Sequence, residues 1–339
     1  MSKKINVAVL MGGKSSEHEI SLMSGREVVK NLDRKKYNVF PINISPGGRN
    51  WQVAKSEKFF LDSPAAVRVR GNKSKVFNFQ SDSVYPKLFK DKNIDLVFIA
   101  LHGSNGEDGR VQGFLDLIDI PYTGSKVLAS ALAIDKIYSR KLFTQAGLKV
   151  PKTIVVKKSG TIPKLNFDFP VFVKPNNQGS SVGVFKVKNK KELVSALKKA
   201  YKYSDQALVE ENVDGVEVTG SILGKEKLVA LPLVEIVPKI SFFDYEAKYN
   251  ERLCKEIVPA RISKLLTKRA QEAALNAYIA MSCHGFGRVD MIIRGKDVYI
   301  LEINTIPGLT PVSLFPKAAK AAGISYPKLL DKIISYSTP

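Results

Sequence analysis

Apolar runs separated by polar turns alternate with amphipathic stretches along most of the chain. Runs such as 5–13 (INVAVLMGG) and 94–101 (IDLVFIAL) predict buried parallel strands, because a strand covered on both faces has no polar side. Amphipathic stretches with an apolar residue every three or four positions predict helices at about 21–32, 126–146, 190–203 and 263–283. This alternation predicts an α/β fold.

Two of the predicted strands end in polar, glycine-rich loops. In an open α/β sheet, ligands bind at the carboxyl ends of the strands, so both loops are candidate binding segments. In the first loop, Glu17 either meets a ligand ammonium or places a favourable charge at a helix start, and the local sequence does not separate the two. In the second, His102 is a ligand contact or a structural cap, and its position favours the ligand contact.

The stretch GRVDMIIRGKDVYILEIN at 287–304 predicts two strands joined by a short turn. Because side chains alternate along a strand, Arg288 and Asp290 share one face of the first strand. The same rule divides the second strand into Tyr299, Leu301 and Ile303 on one face, and Val298, Ile300, Glu302 and Asn304 on the other.

The turn length decides which residue lies opposite Asp290. An odd turn of three residues, 295–297, places Asp290 opposite Glu302, whereas an even turn places it opposite Leu301. Neighbouring carboxylates repel, and a divalent cation removes that repulsion. Two carboxylates and the amide of Asn304 are hard oxygen donors that suit Mg²⁺, which keeps few protein ligands beside nucleotide phosphates. The alternative is the solvated side of an edge strand, and we favour the metal.

A second informative stretch, PVFVKPNNQGSSVGVFKV at 170–187, has two strand-like halves around a loop rich in Gly, Ser and Asn. The backbone amides of such a loop, with Lys174 before it, can bind phosphates. It is not a P-loop, because the lysine precedes the glycines and a strand follows. The alternative is a polar hairpin loop.

Two later segments carry candidate ligand contacts. ALVEE at 207–211 reads as a strand that ends between lobes, where Glu210 and Glu217 could accept hydrogen bonds from adenine and ribose or be solvated. The stretch 241–250 (SFFDYEAKYN) has no clean period and reads as a functional loop with Lys248 and Tyr249.

Composition narrows the function classes. The 339 residues allow two or three domains, and no apolar run reaches the length of a membrane span. Two cysteines without a C-x-x-C motif favour a reducing cytoplasm. The net charge of +21 is compatible with nucleic-acid binding. However, the lysines are dispersed and no nucleic-acid motif is present, so we interpret the charge as solubilising and as steering polyanions such as ATP.

Taken in order, eight motifs resemble the D-alanine–D-alanine ligases of the ATP-grasp superfamily, over about residues 5 to 330. They are MGGKSSEHEISLMSG, LHGSNGEDG, ALAIDK, VFVKPNNQGSSVGV, ALVEENVDGVEVT, FFDYEAKY, GRVDMII and LEINTIPGLTPVSL. The resemblance implies a three-domain ATP-grasp architecture with a Rossmann-like N-terminal domain. The expected domains are 1–125, 126–212 (central ATP-grasp) and 213–339 (C-terminal, with the metal site).

The resemblance also implies the reaction and the residues that serve it. ATP phosphorylates the carboxylate of one D-alanine, and the amine of a second D-alanine attacks the acyl phosphate, which supplies D-alanyl-D-alanine for peptidoglycan. The implied metal ligands for Mg²⁺ (two ions, replaceable by Mn²⁺) are Asp290, Glu302 and Asn304. The implied ATP contacts are Lys136, Lys174, Ser181, Glu210, Glu211, Val213, Glu217 and Lys248. The implied D-alanine contacts are His102, Ser313 and Leu314, and the implied catalytic groups are Glu17, Ser180, Tyr249, Arg288 and Gly308.

Within these positions, Glu17, Ser180 and Tyr249 match a hydrogen-bonded network that closes two loops over the site. Tyr249 stands where D-lactate-using relatives usually carry Phe, so it favours the dipeptide product. Glu211 departs from the pattern, because a Lys is often found there beside adenine. We expect a homodimer with no nucleic-acid or membrane partner. The alternatives are a ligase that uses D-lactate or D-serine, a basic nucleic-acid-binding protein and a non-catalytic nucleotide-binding homologue.

Overall fold

The computed structural model describes residues 3–53, 75–78, 89–238 and 254–337. Three sheets, one after another along the chain, carry eight helices in these ranges. None of the helices in the described ranges combines the length and apolar character needed to cross a membrane. Lys248, Tyr249 and the rest of the predicted 241–250 loop lie outside the described residues, as does most of 51–93.

The N-terminal sheet has the order β4-β3-β2-β1-β5, with β1 parallel to β2 and β5, and β3 antiparallel to β2 and β4. Its strands are β1 (Ile5–Gly12), β2 (Tyr37–Ile44), β3 (Asn50–Val53), β4 (Lys75–Asn78) and β5 (Leu96–Ile99). Helices α1 (His18–Asn31) and α2 (Arg110–Leu117) follow β1 and β5. The two predicted polar loops therefore leave the carboxyl ends of neighbouring parallel strands.

The central sheet is antiparallel, in the order β6-β9-β7-β8. Its strands are β6 (Thr153–Lys157), β7 (Val171–Pro175), β8 (Phe185–Val187) and β9 (Gln206–Glu211), and α5 (Lys190–Ala200) packs its apolar face on them. A strand follows the predicted phosphate loop, as expected from the sequence.

Two short helices precede this sheet, α3 (Val127–Ile134) and α4 (Lys136–Gln145). The prediction of one continuous helix over 126–146 is therefore wrong. Asp135 is extended (φ −83°, ψ 102°), and its carboxylate accepts the Tyr138 amide at 3.0 Å and the Asn176 side chain at 2.8 Å. This N-cap starts a new helix and aims Lys136 towards the central loop.

The largest sheet has the order β13-β12-β10-β14-β15, with β11 on the edge of β10, and its pairs are antiparallel. Its strands are β10 (Val216–Gly224), β11 (Val229–Ala230), β12 (Val234–Pro238), β13 (Cys254–Ile257), β14 (Gly285–Arg294) and β15 (Asp297–Asn304). Helix α6 (Lys264–Ala280) covers one face, and α7 (Leu314–Ala321) and α8 (Tyr326–Ser335) follow β15.

Asp290 lies opposite Glu302, as predicted, but the predicted odd turn is wrong. Arg294 pairs with Asp297, which leaves a two-residue turn, and a β-bulge after Asp290 supplies the missing residue, Leu301. The bulge also reverses the side-chain alternation. Consequently Val298 and Ile300 pack in the core under α6 and do not share the face of Glu302, which corrects the predicted grouping.

The apolar cores connect the two ends of the chain. The core of the N-terminal sheet continues into α7 and α8 through residues such as Phe315 and Leu329. A second core lies between α6 and the largest sheet, and a third lies within the central sheet. The other face of the largest sheet, which α6 does not cover, looks towards both remaining sheets. The domain limits near 125 and 212 remain predictions.

Candidate active site

Two adjoining cavities lie over that uncovered face of the largest sheet. The first, of about 310 Å³, lies between the central and the largest sheets. The second, of about 520 Å³, lies between the largest sheet and the loops that follow β1 and β5. Glu217, Ile236 and Asp290 line both cavities. A ligand in one cavity therefore meets a ligand in the other beside Asp290.

Lys136 reaches the wall of the first cavity from the start of α4. Its ammonium donates to the Gln178 carbonyl at 2.7 Å and lies 3.2 Å from a Glu302 oxygen. It therefore joins the predicted phosphate loop to the predicted metal ligand. A buried ammonium in this position can bind a phosphate group of a nucleotide.

Glu210 is the centre of a buried charge cluster under the same cavity. Its side chain is 1% exposed. The carboxylate accepts two hydrogen bonds from Arg140, at 2.7 and 3.0 Å, and forms an ion pair with Lys174 at 2.5 Å. Burial alone would raise the pKa of Glu210, but the charges of Arg140 and Lys174 outweigh burial and lower it to about 2. Both carboxylate oxygens of Glu210 are thus engaged by cations, and its contact to adenine remains a prediction.

Arg140 is a site residue for which the sequence suggested no role. It also donates to the Leu301 carbonyl, at the bulge beside Glu302. It stands four residues after Lys136 on α4, so the two side chains share a helix face. This four-residue spacing from Lys136 is the feature of the sequence that could have indicated a role for Arg140 in the site.

Asp290, Glu302 and Asn304 lie together on the face that the cavities cover, as predicted. Asn304 donates to Asp290 at 3.1 Å, and Arg288 donates two hydrogen bonds to Asp290, each of 2.8 Å. Within the described ranges, no group of three or more His, Cys, Asp or Glu side chains is arranged to hold a metal. The candidate set is therefore two carboxylates and an amide, which fits Mg²⁺ completed by phosphate oxygens.

Glu17 lies where the loops after β1, β5 and β7 meet. Ser180 donates to its carboxylate, as the resemblance implied. A Cβ added to Gly103 would stand 2.7 Å from a Glu17 oxygen, and one added to Gly179 would stand 3.1 Å away. The carboxylate is thus held between two glycines. Ser180 itself has a positive φ of 48°, a conformation that is uncommon outside functional loops.

His102 is 3% exposed, and both ring nitrogens have partners: Nδ1 lies 3.0 Å from the Ile306 carbonyl and Nε2 lies 2.9 Å from the Ser24 hydroxyl. Burial lowers the pKa of His102, so the ring is neutral. It therefore ties the loop after β5 to the segment after β15. A direct substrate contact by His102 remains a prediction.

Glu107 completes that connection and was missed by the sequence reasoning, although it lies in the same loop motif. Its carboxyl group accepts the amides of Gly103 at 3.0 Å and of Ile306 at 3.3 Å. Burial, followed by the charge of Glu17, raises the pKa of Glu107 to about 8. The Ile306 amide is thus held by Glu107 and the Ile306 carbonyl by His102, two residues before Gly308.

Gly308, Ser313 and Leu314 line the second cavity where α7 begins. A Cβ added to Gly308 would stand 2.9 Å from the Ser313 hydroxyl, so a side chain at this position would displace that hydroxyl. Ser313 shares a hydrogen bond of 2.7 Å with the Thr310 hydroxyl. The amides at the start of α7 favour an anion, as helix N-termini do.

The other predicted nucleotide contacts, Ser181, Glu211, Val213 and Glu217, all line the first cavity. Val213 is buried, and the Glu211 carboxylate accepts the Lys152 amide at 2.9 Å. Their roles towards ATP remain predictions, as do those of Lys248 and Tyr249.

Comparison with known proteins gives a consistent result. The family models described as D-ala D-ala ligase N-terminus and C-terminus match residues 6–125 and 142–335. A D-alanine--D-alanine ligase of Syntrophobacter fumaroxidans is 40% identical over 340 residues, which cover 98% of this chain and 97% of the relative.

Solved structures agree over the whole length. The VanG D-Ala:D-Ser ligase of Enterococcus faecalis superposes with a TM-score of 0.81 at 33% identity, covering 99% of this chain and 100% of that one. The Bacillus anthracis D-alanine--D-alanine ligase complexed with ATP gives a TM-score of 0.74 at 35% identity, covering 98% and 97%. The fold is therefore ATP-grasp, and the chain belongs to the D-alanine–D-alanine ligase family.

Proposed function

We propose that the chain ligates two D-alanines to D-alanyl-D-alanine, converting ATP to ADP and phosphate. The observation that carries this proposal is the junction of the two cavities at Asp290. A nucleotide in the first cavity and an amino acid in the second would place the terminal phosphate beside the carboxylate it activates. Phosphoryl transfer needs such positioning and charge neutralisation more than a protein nucleophile.

In the first step, a carboxylate oxygen of the first D-alanine attacks the γ-phosphorus of ATP, and ADP leaves. Glu17 accepts the ammonium of this D-alanine and fixes its orientation. Lys136 and Lys174 offset the charge of the phosphates from the wall of the first cavity. Asp290, Glu302 and Asn304 would hold Mg²⁺, which when bound would neutralise further negative charge on the phosphate oxygens.

In the second step, the amine of the second D-alanine attacks the acyl carbon, and the bond to the phosphate oxygen breaks. The Arg288 guanidinium and the Gly308 amide stabilise the negative oxygen of the tetrahedral intermediate. Ser313 and the Leu314 amide hold the carboxylate of the second D-alanine. Closure of the loop that carries Ser180, with Tyr249, excludes water that would hydrolyse the acyl phosphate.

The product is the dipeptide used for peptidoglycan precursors, and we propose that the enzyme works in the cytoplasm as a homodimer. The two cysteines, Cys254 and Cys283, are not joined in a disulfide, which is consistent with a reducing compartment. Size-exclusion chromatography with light scattering tests the dimer: a mass near 37.4 kDa would contradict it.

The function is tested by ADP release with D-alanine, ATP and Mg²⁺, with the product identified by mass spectrometry. We expect D-alanyl-D-alanine and one ADP for each dipeptide. Absence of turnover with D-alanine would refute the proposal. The same assay with D-serine or D-lactate as competitor separates the alternatives, because a D-serine ligase would form the mixed dipeptide in preference. Chelation of the metal should abolish turnover.

A further inference from the structure

The second cavity contains an ion pair that the reaction described above does not use. The Lys317 ammonium lies 2.6 Å from a Glu256 carboxylate oxygen, and both side chains line the cavity. Lys317 and Glu256 side chains are 30% and 20% exposed, so neither extends freely into solvent. The pair joins helix α7 to strand β13.

Lys317 lies one helical turn beyond Ser313, the residue that caps the start of α7. Its amide donates to the Ser313 carbonyl at 3.0 Å, and both side chains line the second cavity. The ammonium therefore shares a cavity wall with the group that we propose holds the carboxylate of the second D-alanine.

Glu256 reaches the cavity through the register of the sheet. Ile236 pairs with Glu217 on β10 and with Glu256 on β13, so the three side chains form a row on the cavity face. This row fixes Glu256 on the floor of the cavity. From there it holds the Lys317 ammonium inside, where the long lysine side chain would otherwise sample many rotamers.

Arg288 also lines this cavity, but it directs two hydrogen bonds of 2.8 Å to Asp290, which hold its guanidinium beside the predicted metal ligands. Lys317 lines the same cavity together with Ser313 and Leu314 at the start of α7. The two cations therefore have different neighbours within one cavity.

We propose that Lys317, oriented by Glu256, determines the requirement for a carboxylate on the second substrate. The inference rests on the proposed function. The attacking amine must point to the acyl carbon, so the carboxylate of the same molecule points away, towards the start of α7. There the Lys317 ammonium adds to the positive potential at the N-terminus of α7. Together they favour a second substrate that carries a negative charge.

The test compares Lys317→Met with Lys317→Arg, and uses Lys320→Met, an exposed position on the same helix, as a matched control. ADP release gives separate Michaelis constants for ATP and for the first and second D-alanine. We expect Lys317→Met to raise the KM for the second D-alanine at least tenfold, and the other two constants to change less than twofold. Lys317→Arg should remain within threefold of wild type, and Lys320→Met should be unchanged.

A second assay offers D-alaninamide, which lacks the carboxylate, as the acceptor amine. Wild type should prefer D-alanine, and Lys317→Met should reduce that preference at least tenfold. Glu256→Gln keeps the ammonium but removes the carboxylate that orients it, so this variant should lose part of the preference, and less than Lys317→Met loses. If Lys317→Met does not fold, Lys317→Gln serves as the neutral variant.

An unchanged preference and a KM for the second D-alanine within twofold of wild type in the neutral variant would overturn the proposal. The pair would then be only a connection between α7 and β13. Equal losses of preference in Glu256→Gln and Lys317→Met would also overturn it. The proposed function fails separately: wild type would then release no ADP with D-alanine, whatever the variants do.

Discussion

Replacing Glu210 by Gln tests the buried charge cluster beneath the first cavity. The substitution removes the anion between Arg140 and Lys174 while keeping the size and shape of the side chain. Two buried cations then lose their partner, and breaking a buried ion pair typically costs about 3 to 5 kcal/mol. We therefore expect a comparable loss in the free energy of unfolding at pH 7.

The pKa of Glu210 gives an independent estimate of this loss. It falls from 4.5 to about 2 on folding, because the two cations outweigh the opposing effect of burial. Each pKa unit corresponds to about 1.4 kcal/mol, so the ionised carboxylate contributes roughly 3 kcal/mol. Since the folded pKa is depressed, this contribution is present above pH 4.5 and is lost as the pH falls towards 2. The stability gap between wild type and variant should narrow over that window.

Urea unfolding followed by far-UV circular dichroism measures the gap, and hydrogen exchange of the β9 amides localises it to the central sheet. Glu211→Gln is the control, because its carboxylate accepts one backbone amide near the surface of the same strand. We expect the control to change stability by less than about 0.5 kcal/mol. A loss below about 1 kcal/mol in Glu210→Gln, or a gap that does not depend on pH, would refute the reasoning.

Three further substitutions test the site. Glu302→Gln should reduce kcat at least a hundredfold while the protein stays folded in the melting curve, because Gln lacks one of the two negative charges that would hold Mg²⁺; a near-normal kcat would contradict the metal assignment. Tyr249→Phe should raise the use of D-lactate relative to D-alanine at low pH, and an unchanged product ratio would disprove that role. Glu107→Gln should flatten the pH dependence of stability, measured by thermal unfolding between pH 5 and 8. The raised pKa of Glu107, about 8, means that its favourable contribution is complete below pH 4.5 and is lost as the pH rises to 8. If the melting temperatures of wild type and variant changed with pH in the same way, burial of the Glu107 carboxyl group would not be a cause of the pH dependence.

Local patterns predicted much of the fold because they reflect what each face of an element buries. The strand at 94–101 and the helix at 263–283 have strong apolar patterns, and both are present with small shifts at their ends. Asp290 does lie opposite Glu302, as predicted, but the pairing depends on the bulge at Leu301 and not on the predicted odd turn.

The failures came from long-range contacts. Asp135 interrupts an otherwise apolar helical stretch because it caps α4 and contacts Asn176, which is far away in sequence. The bulge at Leu301 had no local signal, since its carbonyl is held by Arg140 from another part of the chain. Likewise, the hydrogen-bond and ion-pair partners of Glu210 and His102 come from elements that are distant in the sequence. A local pattern of apolar and polar residues does not indicate that these elements come into contact.

The bulge at Leu301 divides the β14–β15 hairpin into two parts, and different contacts fix the strand pairing in each part. Between the bulge and the tip, the pairing is fixed by the exposed Gly295-Lys296 turn. A Cβ added to Gly295 would meet no other atom within 4 Å. On the other side of the bulge, the pairing is fixed by the contacts of Asp290 and Asn304. We therefore expect that an epitope inserted at the tip would leave the carboxylates in place, and that the tip is a suitable attachment point for a label on the intact enzyme.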